Sequence, residues 1–240
     1  MLKINVLGFD ILSEPLNEDF FNEKCIVNTI NASAFVWSKN DHLYHEALLA
    51  SNLLIPDGIA VTIAARFLYN KRIKKISAED LFFFLIKSID KEHGSCFFLG
   101  SSNTVIEKIL NRLKFDHPDI KAAGFSPPFR NFFSEEEKRK MIQQVNTFSP
   151  KFLFVGLSAP KQEKLICEIS QQLNAQIICN IGAVFDFYAE TIKRPGKLWQ
   201  KIGLEWLVLW LKDPVRLNKK EYLSIIKFIY SLFKVKFNKK

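Results

Sequence analysis

The sequence predicts an α/β domain built on a largely parallel sheet, with helices on both faces and a helical appendage at the C-terminal end. Short apolar runs alternate with segments of helical spacing along most of the 240 residues, which is typical of repeated strand–helix units. Several runs, such as residues 152–155, show no polar alternation, as expected for strands covered on both faces. Hydrophobic residues make up 48% of the chain, which is enough for a sizeable core.

The predicted strands and helices follow one another in chain order. Strands are predicted over residues 3–8, 25–30, 53–55, 95–99, 120–125, 152–155 and 176–181. Helices are predicted over residues 40–50, 59–69, 78–89, 101–113 and 134–148, and another begins near residue 160. Ser77 and Ser134 mark two helix starts, because each is a good N-cap followed by acidic side chains.

The pattern changes near Arg194, after which only helical spacing remains. We therefore predict a core over residues 1–194 and an appendage over residues 195–240, with helices at 199–211 and 222–237. The net charge of +9 belongs to this end of the chain: residues 193–240 contain thirteen Lys and Arg against three Asp and Glu.

A basic segment interleaved with aromatic residues is typical of an element on a membrane surface. Two other interpretations stay open. The last helix could dock and complete the core, or its apolar surface could be buried in a homo-oligomer. Nucleic-acid binding is disfavoured, because the charge is concentrated in one apolar segment and not spread along a groove.

Cysteine spacing and the N-terminal segment predict the compartment. The four cysteines form no C-x-x-C pair, and Cys25, Cys96 and Cys179 lie in apolar runs, so we expect buried free thiols and a reducing compartment. The sequence shows neither a signal peptide nor an uncharged apolar run of about 18 residues. We predict a cytoplasmic protein, peripheral on the inner face of the cell membrane.

Polar residues stand at the ends of two predicted strands. The carboxylate of Asp57, between Pro56 and Gly58, could accept a proton from a substrate hydroxyl, or these residues could form an ordinary turn. Thr29 and Asn31 could hydrogen-bond a sugar, or cap the next helix.

Three further positions suggest a phosphate or nucleotide site. The residues around Gly100 resemble a phosphate-cradling turn, although the sequence has neither G-x-G-x-x-G nor a P-loop, which disfavours a nicotinamide or ATP enzyme. Asp186 could contact a ribose hydroxyl or form a turn. Pro160 suits the first position of a helix, whose free N–H groups favour an anion.

The blocks that carry chemistry occur in a recognisable order. They are Thr29-x-Asn31, Pro56-Asp57-Gly58, Leu99-Gly100, Ala159-Pro160-Lys161-Gln162-Glu163, Gly182-x3-Asp186, Lys193-Arg194, Gly203-Leu204-Glu205-Trp206 and Pro214-x-Arg216. In this order and spacing they resemble the WecG/TagA/CpsF family of bacterial glycosyltransferases over nearly the whole chain.

The resemblance implies an inverting, metal-independent transfer of N-acetylmannosamine or its uronic acid. The donor would be a UDP-sugar and the acceptor a polyprenyl-diphosphate-linked sugar, in bacterial surface polysaccharide or teichoic acid synthesis, with no cofactor. It also implies a Rossmann-like core, called GT-E, and a C-terminal appendage that helps to close the site and meets the membrane.

The resemblance assigns roles to individual residues. Asp57 matches the catalytic base, Thr29, Asn31 and Gln162 match substrate-binding residues, and Arg216 matches an appendage arginine that reaches the diphosphate. Lys75 stands near a position where the family has arginine. No two aspartates are separated by one residue, so positive side chains and helix ends would have to stabilise the departing diphosphate.

The sequence also departs from the family pattern. Lys75 and Leu209 replace arginines, and Ala78 and Ala183 replace glycines. Lysine supplies charge but not a bidentate fork. These departures motivate the alternative hypothesis of a non-catalytic, membrane-associated nucleotide-sugar-binding protein.

Overall fold

The computed structural model describes residues 1–196, 198, 199, 208, 211 and 219–238, with side chains in the last segment described from residue 223 onward. Eight strands form one sheet in this part of the chain. They are β1 (Lys3–Val6), β2 (Phe9–Leu12), β3 (Cys25–Ile30), β4 (Leu53–Pro56), β5 (Ser95–Gly100), β6 (Lys121–Phe125), β7 (Phe152–Gly156) and β8 (Ile177–Asn180). The order is β1-β2-β4-β3-β8-β7-β5-β6. Only β1 and β2 pair antiparallel among these described strands.

Helices cover both faces of the sheet, which confirms the predicted fold class. They are α1 (Ala32–Ser38), α2 (His42–Leu49), α3 (Ile59–Tyr69), α4 (Ala78–Lys91), α5 (Asn103–Asp116), α6 (Glu135–Phe148), α7 (Lys161–Ile169), α8 (Val184–Tyr188) and α9 (Lys219–Asn238). Short 3₁₀ helices span Glu18–Phe21 and Ser170–Gln172.

Alternate residues of each central strand enter opposite helix layers. In β7, Phe152 and Phe154 pack against α4, α5 and α8. Leu153 and Val155 pack on the other face, which α1, α2, α3, α6, α7 and α9 cover. Both faces are therefore apolar, which explains the unbroken apolar run over residues 152–155.

Strand β2 and helices α1 and α8 are short elements that were not predicted. The strand predicted over residues 3–8 is too long, because Leu7 and Gly8 have φ values of 53° and 98° and turn the chain back as β2. Helices α1 and α8 contain seven and five residues, and two turns or fewer show little periodicity. The other predicted elements within the described residues agree with the structure within about three residues.

Helix α9 docks on the core with one face. Phe228 is 1% exposed, and its ring centroid lies 5.1 Å from that of Phe35 in α1. The indole N–H of Trp37 donates to the hydroxyl of Ser224 at 3.1 Å. The opposite face remains exposed. Docking of this helix on the core is therefore observed, and contact of its exposed face with a membrane or with a second copy of the chain stays a prediction. The helix predicted over 199–211 lies mostly outside the described residues.

Cys25, Cys96 and Cys179 are buried free thiols, as predicted, and Cys167 is exposed. Within the described segments, no helix combines the length and apolar character needed to cross a bilayer.

Candidate active site at the carboxyl edge of the sheet

Strands β3 and β4 bring three predicted site residues together. These strands are parallel, with Thr29 beside Ile55 and Ile30 beside Pro56. The N–H of Asp57 donates to the carbonyl of Ile30 at 3.0 Å. Asp57, Thr29 and Asn31 therefore lie side by side at one edge, the carboxyl edge of the parallel strands.

Asp57 and Thr29 are both half-buried. Gly58, which follows Asp57, has a φ of 96° and allows the chain to turn into α3, whose first turn receives no side-chain cap. The carboxylate of Asp57 thus stands beside a helix N-terminus, at the edge where open α/β sheets bind ligands.

Asn31 has a clear structural role. Its side-chain oxygen accepts a hydrogen bond from the N–H of Ala34 at 2.9 Å and caps α1. Of the two interpretations from sequence, helix capping is therefore confirmed. Sugar binding through the amide group of this exposed residue stays a prediction.

Strand β7 leads into α7 at the same edge. The first N–H groups of α7 are already engaged, because those of Lys161 and Gln162 donate to the carbonyl of Ser158 at 2.9 and 3.3 Å. Lys161, in its first turn, donates from Nζ to the carbonyl of Arg130 at 2.8 Å. Burial lowers the pKa of the Lys161 ammonium.

Gln162 and Glu163 form a buried pair in the first turn of α7. They are 4% and 3% exposed, and Gln162 Nε2 donates to Glu163 Oε1 at 2.9 Å. Gln162 Oε1 and Glu163 Oε2 are buried, and neither accepts a hydrogen bond from the part of the chain that the structure describes. Burial raises the pKa of Glu163 to about 7, because a charge inside a protein loses its hydration.

Gln162 borders the turn that follows β8. A Cβ on Gly182 would lie 3.7 Å from both polar atoms of the Gln162 amide. Because β8 lies between β3 and β7 in the sheet, Gln162 belongs to the same edge as Asn31. Its side chain is nevertheless covered by protein.

Gly100 and Gly156 allow a close approach of two turns. A Cβ on Gly100, whose φ is 128°, would lie 2.6 Å from the carbonyl oxygen of Gly156. The N–H of Ser101 donates to that oxygen at 3.0 Å. The geometry gives Gly100 a packing role, and substrate binding by Gly100 stays a prediction.

The remaining predicted residues are placed as follows. Asp186 lies in α8, and its carboxylate accepts a hydrogen bond from the Thr191 hydroxyl at 3.2 Å, which supports the turn interpretation. Lys75 is half-buried. It precedes Ile76, whose N–H donates to the carbonyl of Pro56 at 3.0 Å, so the backbone next to Lys75 lies beside the Asp57 turn. Arg216 lies outside the described residues.

A buried polar group went unnoticed in the sequence. The Asn180 amide donates to Asn28 Oδ1 at 2.6 Å, and the Asn28 amide donates to the Ser51 hydroxyl at 2.7 Å. An asparagine inside each of two apolar strands was the available signal. These bonds tie β3 to β8 and to the segment that precedes β4.

Two shallow surface cavities lie away from this edge. One, of about 400 Å³, is lined by residues that include Arg112 and Tyr188. The other, of about 490 Å³, is lined by residues that include Phe20 and Phe84. None of the predicted site residues that the structure describes lines either cavity.

Comparison with known protein families shows which family the chain belongs to. The model of the glycosyl transferase WecG/TagA/CpsF family matches residues 2–240. The chain belongs to the WecG/TagA/CpsF family of glycosyltransferases. The resemblance drawn from the sequence blocks is therefore confirmed.

Individual relatives within this WecG/TagA/CpsF family cover most of the chain. A Bacillus subtilis protein is 26% identical over 227 residues, which are 94% of this chain and 86% of the relative. A Staphylococcus aureus protein is 23% identical over an alignment of 244 residues, which covers 98% of this chain and 93% of the relative. Both are named N-acetylglucosaminyldiphosphoundecaprenol N-acetyl-β-D-mannosaminyltransferase.

Proposed function

We propose that this glycosyltransferase moves N-acetylmannosamine, or its uronic acid, from a UDP-sugar to a polyprenyl-diphosphate-linked sugar. The names of the relatives support the acceptor class and the first of the two sugars. The observation that carries the chemistry is the position of Asp57, half-buried at the carboxyl edge beside Thr29 and Asn31.

In the proposed reaction, Asp57 accepts the proton of the acceptor hydroxyl. The hydroxyl oxygen attacks the anomeric carbon of the donor and forms the new glycosidic bond. The bond from that carbon to the diphosphate oxygen breaks, and UDP leaves with the electron pair on the opposite side, which inverts the anomeric centre. A positioned general base contributes about 10²–10⁴ in rate.

The departing UDP needs positive charge around its diphosphate. We assign this role to the N-terminus of α7, to Lys75 and to Arg216. A helix N-terminus offers the positive end of the helix dipole. We propose metal-independent transfer, because the sequence lacks two aspartates separated by one residue. Full activity after treatment with EDTA is the expected result.

The proposed function is tested by the products that the purified chain forms. We expect the purified chain to release UDP from UDP-N-acetylmannosamine only when a lipid-linked N-acetylglucosamine acceptor is present, and to form the inverted anomer. The uronic acid donor is tested in parallel. Binding of UDP-sugars without release of UDP would instead favour the non-catalytic binder suggested by Lys75 and Leu209.

We also propose that α9 contacts the cytoplasmic membrane surface. Its outer face exposes Leu223, Ile226, Tyr230, Phe233 and Phe237, with 49%, 49%, 69%, 49% and 64% exposure. Such a face, accompanied by lysines, suits the interfacial layer of a bilayer. Serine substitutions at Tyr230 and Phe237 keep the docked face intact, and they should weaken binding to anionic vesicles. Unchanged vesicle binding would refute this contact.

A further inference from the structure

The loop that follows β6 exposes two phenylalanine rings. Phe129 is 102% exposed and Phe132 is 86% exposed. Single exposed apolar residues are ordinary on protein surfaces, whereas neighbouring ones mark a surface that meets an apolar partner. Residues 126–133 are called the Phe129 loop below.

Hydrogen bonds hold the Phe129 loop against the carboxyl edge. Strand β6 is parallel to β5, so the loop leaves the sheet at this edge. The Ser126 hydroxyl donates to the carbonyl of Ser101 at 2.7 Å, which ties the loop to the turn after β5. Lys161 Nζ donates to the carbonyl of Arg130 at 2.8 Å, which ties it to the start of α7.

Lys161 also contacts two aromatic rings of the loop. Its ammonium lies 5.5 Å from the ring centroid of Phe129 and 5.2 Å from that of Phe133. Phe133 is half-buried and packs against the core under α6 and α7. The loop is therefore anchored at Phe133, and Phe129 and Phe132 are held outward.

We propose that Phe129 and Phe132 enter the interfacial layer of the lipid bilayer, as a second membrane contact separate from α9. The inference rests on the proposed function, because a lipid-linked acceptor requires the carboxyl edge to face the bilayer. Strand β6 lies five strand spacings from β4, a distance of about 24 Å. Helix α9 packs on α1 and α3, on the β4 side, so the two contacts would support the edge from opposite sides.

Charges around the Phe129 loop largely compensate one another. Arg130 pairs with Glu137 at 2.9 Å, and Lys138 pairs with Glu135 at 2.8 Å. Glu136 is exposed beside them, and Lys161 is bonded to the loop. The contact is thus mainly apolar, and its contribution to vesicle binding should persist at high salt, unlike that of a basic segment.

The first experiment measures binding to vesicles of phosphatidylethanolamine and phosphatidylglycerol by flotation. The F129S/F132S variant should bind roughly tenfold more weakly for each ring removed, since transfer of a phenylalanine side chain out of water contributes about that much to the binding constant. The control is F115S. Phe115 is 88% exposed near the end of α5, at the opposite edge of the sheet, and its replacement should leave binding unchanged. Equal binding by F129S/F132S and the wild type would overturn the proposal.

The second experiment compares two acceptors of the same sugar and diphosphate. One has a long polyprenyl chain embedded in vesicles, and the other has a short, water-soluble chain. The F129S/F132S variant should lose transfer, by about tenfold or more, only to the embedded acceptor. An equal loss with both acceptors would place the loop in the substrate pocket and overturn the membrane contact. If the wild type transferred to neither acceptor, the proposed function would fail, while flotation would still decide the role of the loop.

Discussion

Replacing Glu163 by glutamine isolates the energetic effect of one buried carboxyl group. Glu163 is 3% exposed and bonds to the neutral amide of Gln162. The neighbouring lysine, Lys164, pairs with Asp41 instead. Burial raises the pKa of Glu163 from 4.5 to about 7, so the folded protein favours the protonated acid.

The magnitude follows from this pKa difference. A rise from 4.5 to about 7 corresponds to about 3 kcal/mol, at about 1.4 kcal/mol for each pKa unit. Because the pKa of the folded state is raised, the unfolded state ionises first. The stability contributed by the neutral acid is complete below pH 4.5 and is lost as the pH rises through 7.

Glutamine cannot ionise, so at about pH 8.5 the free energy of unfolding of Glu163→Gln should exceed that of the wild type by up to about 3 kcal/mol. The variant should therefore unfold at a higher urea concentration. At about pH 4.5 the two proteins should differ much less. The matched control is Glu136→Gln, an exposed carboxylate in the first turn of α6, which should show no such pH dependence. An advantage of Glu163→Gln that is equal at both pH values, or larger at the lower one, would refute the reasoning.

Three further predictions concern packing and accessibility. Gly100→Ala should destabilise the fold by about 1–3 kcal/mol in urea unfolding, because its Cβ would overlap the Gly156 carbonyl at 2.6 Å; a neutral effect would contradict this packing. Phe228→Ala should lower the free energy of unfolding by about 3–5 kcal/mol, because the ring is 1% exposed, whereas Tyr230→Ser should lower it little. Equal effects of the two substitutions would mean that α9 does not dock on the core. Of the four cysteines, only Cys167 is exposed, so a thiol reagent should label it rapidly and the others only on unfolding. Rapid labelling of more than one thiol would contradict the burial.

The fold was predictable where the local pattern and the tertiary environment agree. Strand β3 and helix α3 have the predicted bounds, Cys25–Ile30 and Ile59–Tyr69. Their apolar spacing continues through their whole length. The β1–β2 hairpin was missed because its turn contains Leu7 in a left-handed conformation at φ 53°, which the residue type does not favour.

The candidate site was predictable only as a set of strand ends. Parallel strands share one carboxyl edge, so polar residues that follow them must meet there. This placed Asp57 beside Thr29 and Asn31. Sequence spacing does not show how deeply a helix start is packed, and for that reason the burial of Gln162 and Glu163 could not be predicted.

The same limit applies to the Phe129 loop. Its proline-rich sequence predicts only a loop. The bonds from Ser126 and Lys161 join it to turns that follow two other strands, and those contacts exist only in the folded protein.

The most direct test of the central claim is the rate of sugar transfer by Asp57→Asn in a single turnover. We predict a loss of about 10²–10⁴, with UDP affinity, measured by calorimetry, changed by no more than a few-fold. Asp119→Asn, at an exposed carboxylate near the opposite edge, should transfer at the wild-type rate. Wild-type transfer by folded Asp57→Asn would contradict the assignment of the catalytic base.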